Sequence, residues 1–184
     1  MLRAGLLEGT VVATAGGAER VAAACAALGA TTPVLEVDLL DEDAVIAAAR
    51  GLGPVAMLVC DAAPAFVAAG GGVEGLAAGL EGAWNAARAV ANAVWRGGDG
   101  GKLVLLAPRP RDGAHAGALG AALENTARTL SIEWARYAIR STAVLPGDGA
   151  SDEEIASLVA YLASPAGDYF TGCAFGLSGD TAAH

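Results

Sequence analysis

Aromatic residues are scarce in this sequence: they occupy 5% of 184 positions, against 54% hydrophobic residues overall and 26 glycines. A core held by large rings is therefore not on offer, whereas Ala and Gly suit closely packed helices laid on a sheet. Cations are also in deficit. Eleven Lys and Arg stand against twenty Asp and Glu, for a net charge of -9, which argues against nucleic acid and anionic membrane surfaces as partners, since both need clustered positive charge. The three cysteines, Cys25, Cys60 and Cys173, are widely spaced, form no CxxC pair and have no histidine close by. Neither a disulfide framework nor a zinc site is expected, no metal ligands are assigned, and reduced thiols in a cytoplasmic setting fit better. No uncharged apolar run is long enough to span a bilayer, so no membrane partner is expected. The start of the chain reads as a strand rather than a signal peptide, because Glu8 interrupts its apolar stretch.

What is present is a strict alternation. Apolar runs at 10–15, 33–37, 55–60, 102–107, 140–145 and 172–177, most of them near-continuous, read as strands buried on both faces. Helical patterns fall between them at 18–28, 41–50, 73–95, 117–137 and 151–163, the last opening with the capping box Ser151-Asp-Glu-Glu154. Residues 70–72 and 97–101 read as surface turns. The length fits one domain over residues 1–184, and strand–helix alternation implies an α/β fold: a doubly wound parallel sheet with helices on both faces.

Longer segments carry a resemblance. LENTARTLSIEWARYAIRSTAVLPG (123–147) and DEEIASLVAYLASPAGDYFTGCAFGLSGD (152–180) resemble the long helix, strand, Pro-Gly turn, last helix and last strand of the classical short-chain dehydrogenase/reductase family. LLEGTVVATAGG, VLEVDLLDEDAV, VAMLVCDAAP and GLEGAWNAARAVANAVW follow that family's earlier elements in order. The resemblance implies a Rossmann-like sheet of about six strands rather than the family's seven. It is truncated at the cofactor-binding front and at the substrate lobe, with the expected strand order 2-1-3-4-5-6.

The same resemblance implies that the chemistry is gone. The family's glycine-rich dinucleotide turn corresponds to Thr14-Ala-Gly-Gly-Ala-Glu-Arg20, which lacks the later glycines and places Glu19 where a pyrophosphate would lie. The tetrad positions fall at Gly79 for asparagine, Pro108 for serine, Ala116 for tyrosine and Gly120 for lysine. Glycine and alanine neither transfer a proton nor stabilise a charge. The family's Asn-Asn-Ala-Gly segment corresponds to Cys60-Asp61-Ala62-Ala63. Asp38 matches the family's adenine-contacting aspartate, but equally reads as the cap of a turn before Asp41.

Three functional readings follow. The first is a non-catalytic subunit, a pseudoenzyme, that assembles with an active paralogue of the family. That partner would carry NAD(P) and act as an alcohol or hydroxyacyl dehydrogenase, while this chain holds no cofactor of its own. The resemblance implies contact through helices 73–95 and 117–137 and the C-terminal strand. There Ala86, Ala87, Ala91, Ala114, Ala118, Ala121 and Ala122 permit close approach and Trp84, Trp95 and Trp134 are candidate anchors. The second reading is a divergent oxidoreductase using His115 or Asp61 for acid/base work, for which the competing roles are a loop histidine and a helix cap. The third is a regulatory protein that binds a small molecule in a vestigial cleft.

Overall fold

The computed structural model describes residues 2–178. Its elements run β1 (Val12–Ala15), α1 (Glu19–Ala27), β2 (Val34–Leu35), α2 (Glu42–Gly51), β3 (Met57–Asp61), α3 (Ala63–Ala68), α4 (Val73–Val90), β4 (Gly101–Leu106), α5 (Ala116–Glu133), β5 (Ile139–Pro146), α6 (Asp152–Ala163) and β6 (Cys173–Leu177). The strands form one six-stranded parallel sheet in the order β2-β1-β3-β4-β5-β6. Both the strand number and the order agree with the expectation from sequence.

Alternation along each strand divides the apolar residues between two layers. Ala13, Leu58, Cys60, Leu103, Leu105 and Ala143 face a core closed by Val45 of α2, Ala86 and Val90 of α4, and Leu119 and Leu123 of α5. Val12, Met57, Val59, Val104 and Val144 face the opposite core, closed by Val21 and Cys25 of α1 and by Ile155, Val159 and Leu162 of α6. The sheet is thus wound on both faces; β1 and most of β3, β4 and β5 are removed from water, while β6 at the edge stays partly exposed.

The departures from expectation have local causes. β2 is two residues long rather than five; it is an edge strand led by Pro33, which has no N–H for the ladder. A short helix, α3, follows β3 and was not anticipated. It opens on Pro64, whose fixed backbone angle suits a first turn. Beyond Val90, α4 continues through a π-helical turn, Ala91–Trp95. This turn sends the Trp95 indole into the core, where its Nε1 donates to Val55 O at 2.7 Å. Trp95 is 1% exposed, so it is a core residue and not the interface anchor expected of it. Gly71, expected in a surface turn, is held close against a neighbouring loop: a Cβ there would stand 2.9 Å from Gly113 Cα. The capping box of α6 forms as expected: Glu154 N donates to Ser151 Oγ at 3.1 Å, and Ser151 N donates to Glu154 Oε2 at 2.8 Å. Only residues 147–151 join β5 to α6, leaving no substrate lobe in that connection.

Candidate functional site

The winding direction of the sheet reverses between β1 and β3, and a parallel sheet is open at the carboxyl ends of its strands there. A cleft of about 190 Å³ occupies this place. The turn after β1 brings Gly17 to its wall, α1 contributes Glu19 and Arg20, and β3 ends on Asp61. The loop after β4 supplies Arg109 and Asp112, and the first turn of α6 supplies Asp152. Gly16 is a glycine for a local reason. Its φ is 79°, and a Cβ would run into the carbonyl oxygen of Asp61.

Asp61 is largely removed from water, and its Oδ1 accepts from Ala63 N at 2.9 Å at the start of α3. Burial pushes its carboxyl up to about 7; the Ala63 amide opposes this, the Glu19 charge adds to it, and Arg109 and Asp112 act in opposite directions. An acid poised near neutrality beside a guanidinium has the attributes of a proton carrier. Arg109 is held by its guanidinium to Asp152 and, at 3.3 Å, to Ala150 O, while its Nε is buried with no partner among the described residues. Asp152 also pairs with Arg20 at 3.0 Å. The hydrogen bond from Arg109 holds its carboxyl below the usual range. Asp112 Oδ2 accepts from Arg109 N at 2.7 Å, tightening the loop that carries the arginine. Next to Asp61, the Cys60 thiol is raised first by burial and then by the Asp61 charge, so it stays protonated and is no nucleophile at neutral pH.

None of the four positions that the resemblance matches to the tetrad lines this cleft. Pro108, Ala116 and Gly120 line a different depression of about 530 Å³, bounded by Ala107, Leu145 and Leu177 and with few polar side chains. Gly79 does not join them. It lies in α4, where an added Cβ would come within 2.6 Å of Leu119 Cδ2 and 3.2 Å of Ala62 O, so a leucine from α5 occupies the space beside it. Asp38 stands apart from the cleft as well; its Oδ1 accepts from Leu40 N at 2.9 Å. Its carboxylate serves the turn. His115 precedes α5, donates its backbone N–H to Gly71 O at 3.1 Å, and lines neither depression. Asp61 and His115 therefore do not form one site. His184 lies outside the described residues, as does the tail beyond Ser178. No cluster of three or more His, Cys, Asp or Glu that would hold a metal occurs among the described residues.

Arg20, Arg109 and Asp152 were not picked out from the sequence. Arg109 and Asp152 stand 43 positions apart, and the only available signal was an Arg-Pro-Arg loop in a chain poor in cations.

The outer face of α4 and α5 is a second feature. Trp84 and Trp134 stack at 6.2 Å with 25° between their planes, Trp84 is 39% exposed, and Ile132 and Val73 are 75% and 68% exposed. Ala118, Ala121 and Ala122 of α5 all keep some contact with water. Ala86, Ala87 and Ala91, in contrast, are spent inside the core, which corrects their expected place at an interface.

The architecture defined by this sheet, winding order and open carboxyl edge is that of the short-chain dehydrogenases. A citronellol catabolism dehydrogenase of Pseudomonas aeruginosa PAO1 superposes with a TM-score of 0.80 at 23% identity, over 97% of this chain and 97% of that one. A hydroxysteroid dehydrogenase of Escherichia coli gives 0.76 at 18% identity over 96% and 98%. A Serratia marcescens short-chain dehydrogenase/reductase gives 0.76 at 24% identity over 97% and 100%. At these identities the likeness is one of fold. No protein-family model and no curated protein sequence matches the chain. Among the described residues no helix is long and apolar enough to cross a membrane.

Proposed function

We propose that this chain is a non-catalytic subunit that assembles with an active short-chain dehydrogenase and does not itself turn over a dinucleotide-dependent reaction. The observation that carries this reading is the filling of Gly79 by Leu119, together with Pro108, Ala116 and Gly120 around a depression nearly bare of side-chain acids and bases. Restoring one residue would not restore the site, because the asparagine position has been packed over.

The cleft charges do not fit a dinucleotide. Glu19, Asp61, Asp112 and Asp152 meet only Arg20 and Arg109 on its walls, and both arginines are drawn to Asp152. A diphosphate placed against α1 would face Glu19 in the first helical turn, and that repulsion opposes the gain from the helix N-terminus. NAD(P) belongs on this reading to the active partner. Contact would run through the outer face of α4 and α5, anchored by Trp84 and Ile132, and along β6, the edge strand beyond β5. The test is co-expression with a short-chain dehydrogenase from the same host that retains serine, tyrosine and lysine. The pair should co-purify, and Trp84→Ser with Ile132→Asp should abolish co-purification while leaving the isolated chain folded. Retention of the partner by that double variant would overturn the assignment of this face.

One observation favours a second reading. Asp61, poised at about 7 in a cleft at the topological switch point, suits a divergent oxidoreductase or other proton-transfer enzyme. Turnover by the isolated chain, lost in Asp61→Asn, would establish it; His115 has no comparable placement.

A further inference from the structure

Beyond the stacked Trp84 and Trp134, where α4 and α5 end, two arginines converge on one tyrosine. Arg96 follows the π-helical turn of α4, and Arg136 and Tyr137 belong to a short 3-10 turn, Ala135–Tyr137, that follows α5. Both guanidinium carbons stand 4.8 Å from the centre of the Tyr137 ring, within the range of cation–π attraction. Arg96 is tied further: its guanidinium donates to Asn92 Oδ1 at 2.7 Å and to Tyr137 Oη at 3.1 Å. The turn itself is fixed. Ala138 follows at a φ of 55°, an uncommon angle for a residue with a Cβ, and a Cβ on Gly100 would run into the Ala138 carbonyl.

What the cluster lacks is an acceptor. The ion pairs among the described residues engage Arg20, Arg88, Lys102, Arg109 and Arg128, but neither Arg96 nor Arg136. The Arg136 guanidinium has the Tyr137 ring as its partner and no acceptor among the described residues. Tyr137 Oη accepts from Arg96, which leaves its own O–H to donate, and no described residue receives it. Two exposed cations and a hydroxyl donor thus meet at one place on a chain whose net charge is -9. A carboxylate answers all three, since it only accepts and matches a guanidinium fork.

The neighbouring surface indicates where that carboxylate comes from. Ile132, 75% exposed, stands four residues before Arg136 and so on the same face of α5, and Trp134 stacks on Trp84 beside it. An ion pair in open water is worth little. It gains strength at the rim of an apolar contact that excludes water. The carboxylate therefore arrives on a protein that covers Trp84 and Ile132, not as a free small acid.

We propose that Arg96, Arg136 and Tyr137 form a receptor for an Asp or Glu side chain of the active short-chain dehydrogenase and so select the partner. This rests on the subunit reading and adds the chemistry that the partner must present. Charge pairing of this kind governs partner choice and encounter rate more than total affinity.

The test is calorimetric titration of the full-length chain into a purified short-chain dehydrogenase from the same host that retains serine, tyrosine and lysine, at low and at high sodium chloride. Wild type should bind, and more weakly as salt rises. Arg136→Gln, which removes no hydrogen bond to a described residue, should weaken binding severalfold. Arg96→Gln with Arg136→Gln should weaken it about tenfold and remove most of the salt dependence. Tyr137→Phe, which keeps the ring and loses the O–H, should bind more weakly with the salt dependence retained. Arg3→Gln, at an exposed position beside the Leu2 and Leu6 that pack on the α1–α6 core, sets the size of a general charge effect. Failure of wild type to bind overturns the subunit reading and the receptor with it. Binding in which Arg136→Gln and the double variant only match Arg3→Gln overturns the receptor alone, and loss of binding in Trp84→Ser with Ile132→Asp would then show the subunit reading still standing.

Discussion

The two depressions at the carboxyl edge of the sheet differ in kind although they share the β4–α5 loop. The cleft between β1 and β3 gathers six charged side chains, three of them tied into an Arg20–Asp152–Arg109 bridge. The depression beside α5 gathers Ala107, Pro108, Ala116, Gly117, Gly120 and Leu145. Glu124 is the one charged side chain on the second, against six on the first. The charge of the carboxyl edge gathers in the first, where it ties loops together around a carboxyl that burial raises.

The largest effect that would sharpen this contrast lies at the cleft. Gly16→Ala forces a side chain onto the Asp61 carbonyl at a φ of 79° and is expected to cost about 3 kcal/mol, from strain and overpacking together. Urea denaturation checks it, and a cost within the error of the midpoint would show that the β1 and β3 turns are not locked.

A comparable effect concerns pH. The folded state holds the Asp61 proton more tightly than the unfolded chain, so stability from this group is full at acid pH. It is lost as pH rises from about 3.8 towards about 7 and is level beyond. The part lost between pH 5 and pH 8 is on the order of 3 kcal/mol, each tenfold change in proton affinity being worth about 1.4 kcal/mol. Asp61→Asn keeps an acceptor for Ala63 N, and should be more stable than wild type at pH 8 and lack this part of the pH dependence. Matched denaturation curves at pH 5 and pH 8 decide it.

Two alanine substitutions then set Gly79 and Gly120 against each other. Gly79→Ala meets Leu119 Cδ2 at 2.6 Å and should cost about 1–2 kcal/mol despite its better helix propensity. Gly120→Ala would place its Cβ 3.7 Å from Leu145 Cδ2 and 3.8 Å from Ala107 Cβ, ordinary contacts. It should stabilise by up to about 1 kcal/mol. Equal shifts in melting temperature for the two would break the claim that one position is filled and the other merely empty.

The fold was legible because parallel strands buried on both faces must be largely apolar, as 55–60 and 103–107 are. Helix ends marked by side chains, such as Asp41 and the Ser151–Glu154 box, were legible for the same reason: the signal is local. The misreadings involve long-range partners. Trp95 looks like a surface anchor until the π-helical turn directs it to Val55 O, and Ala86 and Ala91 are indistinguishable in sequence from Ala118 and Ala121. Of the cleft, Asp61 was legible as the residue after an apolar strand. Arg109 was not, because its meaning comes from Asp152 on a helix two elements later.

Native mass spectrometry of the tagged chain, purified gently from its own host, tests the central claim most directly. Recovery in fixed ratio with a short-chain dehydrogenase that has serine, tyrosine and lysine in place is the expected result. Recovery alone or as a homo-oligomer, with dinucleotide-dependent turnover that disappears in Asp61→Asn, would contradict it.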